Sequence, residues 1–439
     1  MLTDTTDAGA APGPGQDQTR DPGPGSVGTL DTVLASGRSR ALLTLLGPAF
    51  VASVAYLDPG NFATNFQAGA HYGYLLLWVV LGANLCAMPV QYLSAKLGTV
   101  TGCTLPELVR VHYPRSVALG LWVQAEVMAM ATDVAEFLGA ALGLHLLFGV
   151  SMFPAGLMTG AVALGLLGLQ ARGRRAFERA IIVLLAVVFA GFAYETLHVG
   201  PSVSRSLHGL LPRLDGSESL YLAVGIIGAT VMPHAVYLHS ALTRGRVTCH
   251  DDRQIRRMLR FERLDVVIAL GLAGLVNMAM LAVAARLFHV PGLSALTSLE
   301  VAHTELGHLA GGAAALAFAA ALLASGLSSA SVGTYAGQVV MSGFTTLRIP
   351  LGVRRVLTMV PALAILALGT DATGALVLSQ VVLSFGIPFA LVPLVLLTSR
   401  RDVLGRHVNG PVARTVAWAV VSLITALNVF LIGQQFTRG

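Results

Sequence analysis

Long apolar segments recur along the whole chain and leave little room for a water-soluble fold. A helix that crosses a bilayer needs about 20 apolar residues, and eleven segments of about that length occur, called spans 1 to 11 here. They lie at roughly residues 42–68, 73–97, 117–148, 152–170, 177–198, 220–242, 264–290, 312–344, 352–370, 374–398 and 412–434. Hydrophobic residues make up 55% of the chain and charged residues 11%. The sequence therefore predicts an all-α polytopic membrane protein with eleven transmembrane helices.

The basic residues predict the orientation of these spans. Cytoplasmic loops carry an excess of Lys and Arg. If the N-terminus is cytoplasmic, only Arg205, Arg213, Arg286 and Arg438 fall on the outer side. We therefore expect a multi-pass protein of the plasma (inner) membrane, with its N-terminus in the cytoplasm and its C-terminus outside. The net charge of +6 is spread among these loops, so we expect no nucleic-acid partner.

Residues 1–40 differ in composition from the rest of the chain. They are rich in Gly, Pro, Asp and Thr and too polar to bury a core, so we expect a disordered cytoplasmic tail. Cys86, Cys103 and Cys249 form no CxxC pair, which argues against a disulfide framework or a zinc site. The expected partner, besides the transported substrates, is the lipid bilayer. We expect no cofactor and no obligate protein partner.

Two of the apolar spans contain residues that oppose a continuous helix. Asp58-Pro59-Gly60-Asn61 interrupts span 1, and the run from Gly228 to His234 interrupts span 6 with Pro233. Spans 1 and 6 are the first members of two five-span halves, and an odd number of spans places the second half in inverted orientation. Interrupted spans at matching positions indicate the binding site of an inverted-repeat transporter. We assign residues 41–439 to the transporter domain, with repeats at 41–200 and 218–399 and an eleventh helix at 411–435.

The two breaks offer a mixed set of metal ligands. It comprises the Asp58 carboxylate, the Asn61 amide oxygen, the Met232 thioether and the carbonyls of Ala55 and Ala229. A thioether adds affinity for softer transition metals, whereas Mg²⁺ and Ca²⁺ prefer oxygen alone. The set favours Mn²⁺, Fe²⁺, Co²⁺ or Cd²⁺. Alternatively, Asp58 is a helix cap or a Na⁺ or proton site, and Met232 fills the core.

Span 3 carries three carboxylates on one helical face. Glu126, Asp133 and Glu136 lie within about 80° of one another, and a carboxylate row inside a membrane indicates a proton relay that ends near His234. The alternative is a set of ion pairs with Arg354 or Arg355 at the start of span 9. The two interpretations are compatible, because an ion pair that opens during gating could move a proton.

Other polar residues are less informative. Gln91, Thr132 and Asp371 could form a polar gate, although the sequence gives no geometry for one. The run from Ser325 to Ser331 lacks a GxSxG motif, so we expect these small residues to serve helix packing. His303 and His308 have the wrong spacing for an HExxH zinc site.

Three motifs resemble those of a known family. Asp58-Pro59-Gly60-Asn61, Met232-Pro233-His234 and Gly333-Thr334-Tyr335-Ala336-Gly337-Gln338 are similar to the signatures of the Nramp family of divalent metal transporters. The resemblance covers all eleven spans. It implies a LeuT-like 5+5 inverted repeat plus one extra helix, and proton-coupled uptake of Mn²⁺ and Fe²⁺. The metal ligands that it implies are Asp58, Asn61, Met232, the Ala55 and Ala229 carbonyls, and Gln380 when the site is closed. The proton path that it implies comprises Asp58, Asp133, Glu136, His234, Glu126, Arg354 and Arg355.

The sequence thus predicts a secondary transporter, and not an enzyme, whose substrates are divalent transition metals and protons. Three alternatives stay open at this point. They are a Mg²⁺ carrier on the same scaffold, an amino-acid symporter of similar fold, and a metal-dependent membrane enzyme.

Overall fold

Helices occupy every predicted span of the computed structural model, which describes residues 28–35, 37, 45–172, 174–290, 298–345, 349–369 and 371–438. Spans 2 to 5 are helices Leu77–Thr101, Arg115–Phe148, Met152–Arg172 and Arg174–Val199. Spans 7 to 11 are helices Asp252–Leu287, Gly312–Phe344, Leu351–Ala367, Ala372–Thr398 and Pro411–Arg438. Spans 1 and 6 are each divided into two helices. The all-α prediction is confirmed over the described residues.

The length of these helices bears on the number of crossings. Among the described residues, eight helical segments are long and apolar enough to cross a membrane. Pro48–Leu57 and Met152–Leu166, in spans 1 and 4, are apolar but shorter, and span 9 has 17 residues. A multi-pass membrane protein is therefore established, and the count of eleven stays a prediction at spans 1, 4 and 9.

Short helices connect some of the spans. They are Leu30–Ala35, Leu105–His112, Val203–His208, Leu299–Ala310 and Arg401–Leu404, with a 3₁₀ turn at Gly405–His407. The expectation of disorder across residues 1–40 is wrong for Leu30–Ala35. Leu30 and Val33 lie on one face of this helix and are buried against Met258, so the segment has a small apolar core of its own. Residues 1–27 lie outside the described part.

Both predicted breaks are confirmed. In span 1, helix Pro48–Ser53 tightens into a 3₁₀ turn at Val54–Leu57, Asp58 is extended with φ −73° and ψ 167°, and helix Pro59–Tyr72 follows. Proline lacks an N–H but is tolerated at the first helical position, so Pro59 ends one helix and begins the next.

Span 6 breaks in a similar way. Helix Gly216–Thr230 ends before Val231 and Met232, which are both non-helical, and helix Pro233–Thr243 follows. Pro233, like Pro59, occupies the first position of the second helix. The two breaks therefore have a similar arrangement, with a helix that ends, one or two non-helical residues and a proline that starts the next helix.

Small residues bring the helices around the breaks close together. A Cβ on Gly326 of span 8 would lie 2.6 Å from the backbone nitrogen of Ala140 in span 3, and a Cβ on Gly139 would lie 2.0 Å from Pro59. Only glycine permits these approaches. The span 3 helix therefore packs directly against both span 8 and the restart of span 1.

Candidate metal-binding site

Asp58 caps the second helix of span 1. Its Oδ1 accepts a hydrogen bond from the backbone N–H of Asn61 at 2.8 Å, and the residue is fully buried. A carboxylate at this position complements the partial positive charge of the helix start. The cap that the sequence offered as an alternative is thus present.

The side-chain amide of Asn61 connects the two breaks. Its Nδ2 donates to Asp58 Oδ1 at 2.6 Å and to the backbone carbonyl of Ala229, in span 6, at 3.0 Å. Two oxygens from different spans therefore converge on one electropositive group. A cation requires the same convergence of acceptors.

Gln380 of span 10 touches both breaks. Its Nε2 donates to Asp58 Oδ2 at 3.3 Å, whereas its Oε1 is buried and has no hydrogen-bond partner among the described residues. Glycines make room for it, because a Cβ on Gly60 would lie 1.8 Å from the Gln380 amide nitrogen and one on Gly228 would lie 1.9 Å from its backbone oxygen. An unpaired buried carbonyl oxygen beside a carboxylate is a suitable cation ligand.

Met232 and Ala55 belong to the irregular segments themselves. Met232 is the residue before the restart of span 6 and is fully buried, and Ala55 lies in the 3₁₀ turn of span 1 and is also fully buried. Met232 is three positions from the Ala229 carbonyl that Asn61 contacts. The sequence-predicted ligand set therefore maps to the two breaks and to the facing side chain of span 10.

The structure adds two residues that sequence reasoning missed. Asn277 of span 7 donates to the carbonyl of Tyr56 at 2.7 Å, and the Ser325 hydroxyl of span 8 donates to the carbonyl of Leu57. Both bonds satisfy carbonyls at the end of the first helix of span 1. Ser325 therefore has a hydrogen-bonding role beside the expected packing role. Asn277 could have been found from the sequence, because it is a lone Asn in an apolar span. Nothing in the sequence distinguished Ser325 from its neighbouring serines.

Two of the span 3 carboxylates form ion pairs with span 9. Glu126 accepts two bonds from Arg354, at 2.7 and 3.2 Å, and Asp133 lies 3.3 Å from Arg355. The ion pairs that the sequence offered as an alternative are thus observed, and each of the two arginines forms one. Arg355 also donates to Thr334 at 3.4 Å.

Glu136 and His234 differ from the paired residues. Neither carboxylate oxygen of Glu136 has a hydrogen-bond partner among the described residues, and a Cβ on Gly333 would lie 2.6 Å from one of them. His234 lies 3.4 Å from Thr132 through Nδ1, and its Nε2 has no partner in the described part of the chain. Unpaired titratable groups at membrane depth are candidates for proton transfer.

Among the described residues, no hydrogen bond joins the three residues of the suggested polar gate to one another. Gln91 bonds Tyr56 and His239, Thr132 bonds His234, and Asp371 caps the start of span 10 through the N–H groups of Thr373 and Gly374. Each residue thus has its own partners in the described part of the chain, and the polar gate stays a prediction. The position of Asp371 is explained by capping, since a carboxylate at a helix start accepts hydrogen bonds from the free N–H groups there.

The site is closed on both sides. Asp58, Asn61, Met232 and Gln380 are each at most 1% exposed. An ion can therefore reach or leave this position only if the surrounding helices move. A buried polar site between two broken helices is typical of transporters of the LeuT-like class.

Comparisons with known proteins agree with this assignment. Residues 49–434 match the family model described as natural resistance-associated macrophage protein-like, abbreviated Nramp, and the chain belongs to this family. It is 51% identical over 393 residues to the divalent metal cation transporter MntH of Deinococcus radiodurans, covering 90% of both chains. It is 50% identical to the protein of the same description from Bacillus subtilis, covering 90% of this chain and 93% of that one.

Solved structures support the fold. The Eremococcus coleocola manganese transporter superposes with a TM-score of 0.82 at 32% identity, covering 90% of this chain and 87% of that one. MhsT, solved in complex with L-phenylalanine, gives a TM-score of 0.57 at 15% identity, covering 88% of this chain and 97% of that one. At that identity the likeness shows the fold alone.

Proposed function

We propose that this protein carries divalent transition metal ions across the membrane by alternating access. The observation that carries the proposal is the convergence of Asp58, Asn61, the Ala229 carbonyl and Gln380 at two broken helices. The proteins called MntH and the manganese transporter, which are similar over about 90% of the chain, support it.

The choice of metal follows from the ligands. Asp58 supplies charge, amides and carbonyls supply neutral oxygens, and Met232 supplies a soft sulfur. Such a set suits Mn²⁺, Fe²⁺, Co²⁺ and Cd²⁺ better than Mg²⁺, which gains nothing from a thioether. An amino-acid symporter would use a free helix start to hold the substrate carboxylate, and Asp58 already occupies that position.

Flux into liposomes tests the central claim. Purified protein should give saturable uptake of Mn²⁺ and Cd²⁺, and Asp58→Ala should abolish it because the only charged ligand is lost. Retained uptake in that variant would refute the proposal. A metal-dependent enzyme would instead turn over a covalent bond in the same preparation.

Met232→Ala tests the thioether. It should reduce Cd²⁺ uptake much more than residual Mg²⁺ uptake, since sulfur contributes only to the softer ion. Met258→Ala is a matched control, because Met258 is equally buried but lies in the separate cluster around Leu30. Equal losses of Cd²⁺ and Mg²⁺ uptake in Met232→Ala would remove Met232 from the ligand set.

The proposal includes proton coupling and an inward direction. The unpaired Glu136, the unpaired Nε2 of His234 and the adjoining Asp133–Arg355 pair support a proton route beside the metal site. Metal binding also displaces protons from ligands, which gives a physical basis for coupling. Asp133→Asn should reduce proton entry, measured with an internal pH dye, while metal still binds. Unchanged proton entry in this variant would exclude Asp133 from the route.

The orientation is part of the same proposal. The arginine distribution supports a cytoplasmic N-terminus and an external C-terminus in the plasma membrane. An epitope tag at the C-terminus should be accessible to antibody on intact spheroplasts, and a tag at the N-terminus should be accessible only after lysis.

A further inference from the structure

A cavity of about 520 Å³ lies at one end of spans 3 and 8. None of its lining residues belongs to the proposed metal site. Its lining includes Arg110, Tyr113, Arg115, Leu119 and Phe344. Arg115 is the first residue of the span 3 helix, and Phe344 is the last residue of the span 8 helix. Two helix ends that meet in this way place the cavity at the level of a membrane surface, on the side that we assign to the cytoplasm.

The two arginines of this cavity have no acidic partner among the described residues. Arg110 donates only a 3.4 Å bond to the backbone oxygen of Ser342, and Arg115 is exposed and makes no ion pair there. The carboxylate on the short helix before span 3, Glu107, is already engaged by Arg244 at 2.7 and 2.8 Å. The cavity therefore carries two uncompensated positive charges. Guanidinium groups hold phosphate oxygens through paired N–H bonds.

Tyr113 adds a neutral donor between them. It follows helix Leu105–His112 in an extended conformation and is half-buried. Burial raises the pKa of the Tyr113 phenol, so its O–H keeps its proton. Tyrosine is enriched at the depth of lipid headgroups, where its ring is apolar and its hydroxyl is solvated.

One side of the cavity continues into a lipid-facing stripe. Leu119 lines the cavity, and Val123 and Val127 follow it at successive turns of span 3, with exposures of 43%, 54% and 46%. Side chains at i, i+4 and i+8 lie on one face of a helix. A ligand with a phosphate group in the cavity would thus have an apolar path leading away from it along the membrane-embedded helix.

We infer that this cavity binds the headgroup of an anionic phospholipid, with Arg110, Arg115 and Tyr113 on the phosphate and an acyl chain along Leu119, Val123 and Val127. The apolar stripe favours a lipid over a free phosphate, which would have no use for it. Basic pockets between membrane helices bind such headgroups in general. The inference depends on the membrane placement and is independent of which ion is transported.

Native mass spectrometry of the purified full-length protein tests this inference. The protein is incubated with equal amounts of phosphatidylglycerol and phosphatidylcholine, and bound lipid is counted. Wild type should retain phosphatidylglycerol preferentially. Arg110→Gln and Arg115→Gln should each lower that retention by about fivefold, the usual contribution of a basic residue near a membrane surface. Arg115→Gln is informative even if Arg110→Gln folds poorly, because Arg115 is exposed and has no partner to lose.

Arg257→Gln is the matched control. Arg257 is another exposed arginine on the side assigned to the cytoplasm and does not line the cavity, so its change should leave retention intact. Equal losses in Arg257→Gln and Arg115→Gln, or equal retention of the two lipids by wild type, would overturn the inference. Binding of inorganic phosphate alone with the same arginine dependence would also overturn it and would assign the cavity to a soluble phosphate. Because lipid is counted directly, none of these outcomes depends on metal flux.

Discussion

Gly228→Ala tests the close packing of span 6 on span 10. A methyl group at this position would lie 1.9 Å from the backbone oxygen of Gln380 and 3.0 Å from the backbone nitrogen of Ser384. Non-bonded atoms prefer separations of about 3.5–4.0 Å, so the two helices must part by about 1.5 Å. Since backbone atoms cannot rotate away, we expect a loss of about 1–3 kcal/mol in the free energy of unfolding.

The displacement should also reduce metal affinity, because the carbonyl of the next residue, Ala229, belongs to the proposed site. Thermal unfolding in detergent measures the first effect, and isothermal titration with Mn²⁺ measures the second. Gly271→Ala is the control: a Cβ at Gly271 in span 7 meets nothing within 4 Å, and alanine favours a helix by about 1 kcal/mol. If Gly228→Ala unfolds at the same temperature as Gly271→Ala and binds Mn²⁺ normally, the packing argument is wrong.

Two further substitutions probe other contacts. Arg355→Met leaves the Asp133 carboxylate buried without its ion pair and should lower the free energy of unfolding by about 3–5 kcal/mol. Adding Asp133→Asn should restore much of this loss. Simple additivity of the two changes in a double-mutant cycle, measured by thermal unfolding, would contradict the pairing. Asp265 of span 7 accepts bonds from the N–H groups of Gly47 and Ala49, at 3.2 and 2.9 Å, at the start of span 1. Asp265→Asn should weaken these two hydrogen bonds and raise the rate of amide hydrogen exchange at the start of span 1. An unchanged exchange rate would show that the Asp265 carboxylate is not needed to hold this helix start.

The breaks could be predicted from the sequence because their cause is local. At each break several neighbouring residues oppose a helix together, because Pro59 lies beside Asp58, Gly60 and Asn61, and Pro233 follows a run that begins at Gly228. Proline alone is not sufficient, since Pro89 and Pro393 stand among apolar residues and lie inside continuous helices. The carboxylate face of span 3 was equally local, since helical periodicity alone brings Glu126 and Asp133 to one side. Their arginine partners could also be predicted, because a charged group at membrane depth needs a partner of opposite charge.

Contacts between distant spans could not be predicted in this way. Gln380 was named only through the family resemblance, because its role depends on the room that Gly60 and Gly228 leave for it. Gln91 was grouped with Thr132 and Asp371 on polarity alone, and polarity does not specify which neighbours a side chain reaches. The hydrogen bond of Ser325 was missed for the same reason, since its hydroxyl donates to a carbonyl more than 260 residues away in sequence.

Four helix ends meet at the two breaks, and their fields act on any bound ion. The helices ending at Leu57 and Thr230 present carbonyls, whereas those beginning at Pro59 and Pro233 present N–H groups. Each end is equivalent to about half an elementary charge, of opposite sign in the two pairs, so the backbone contributions largely cancel. In the proposed site, Asp58 would then supply nearly all of the electrostatic attraction. The proposed selectivity therefore depends on Asp58 and on the neutral ligands around it, and not on the helix ends.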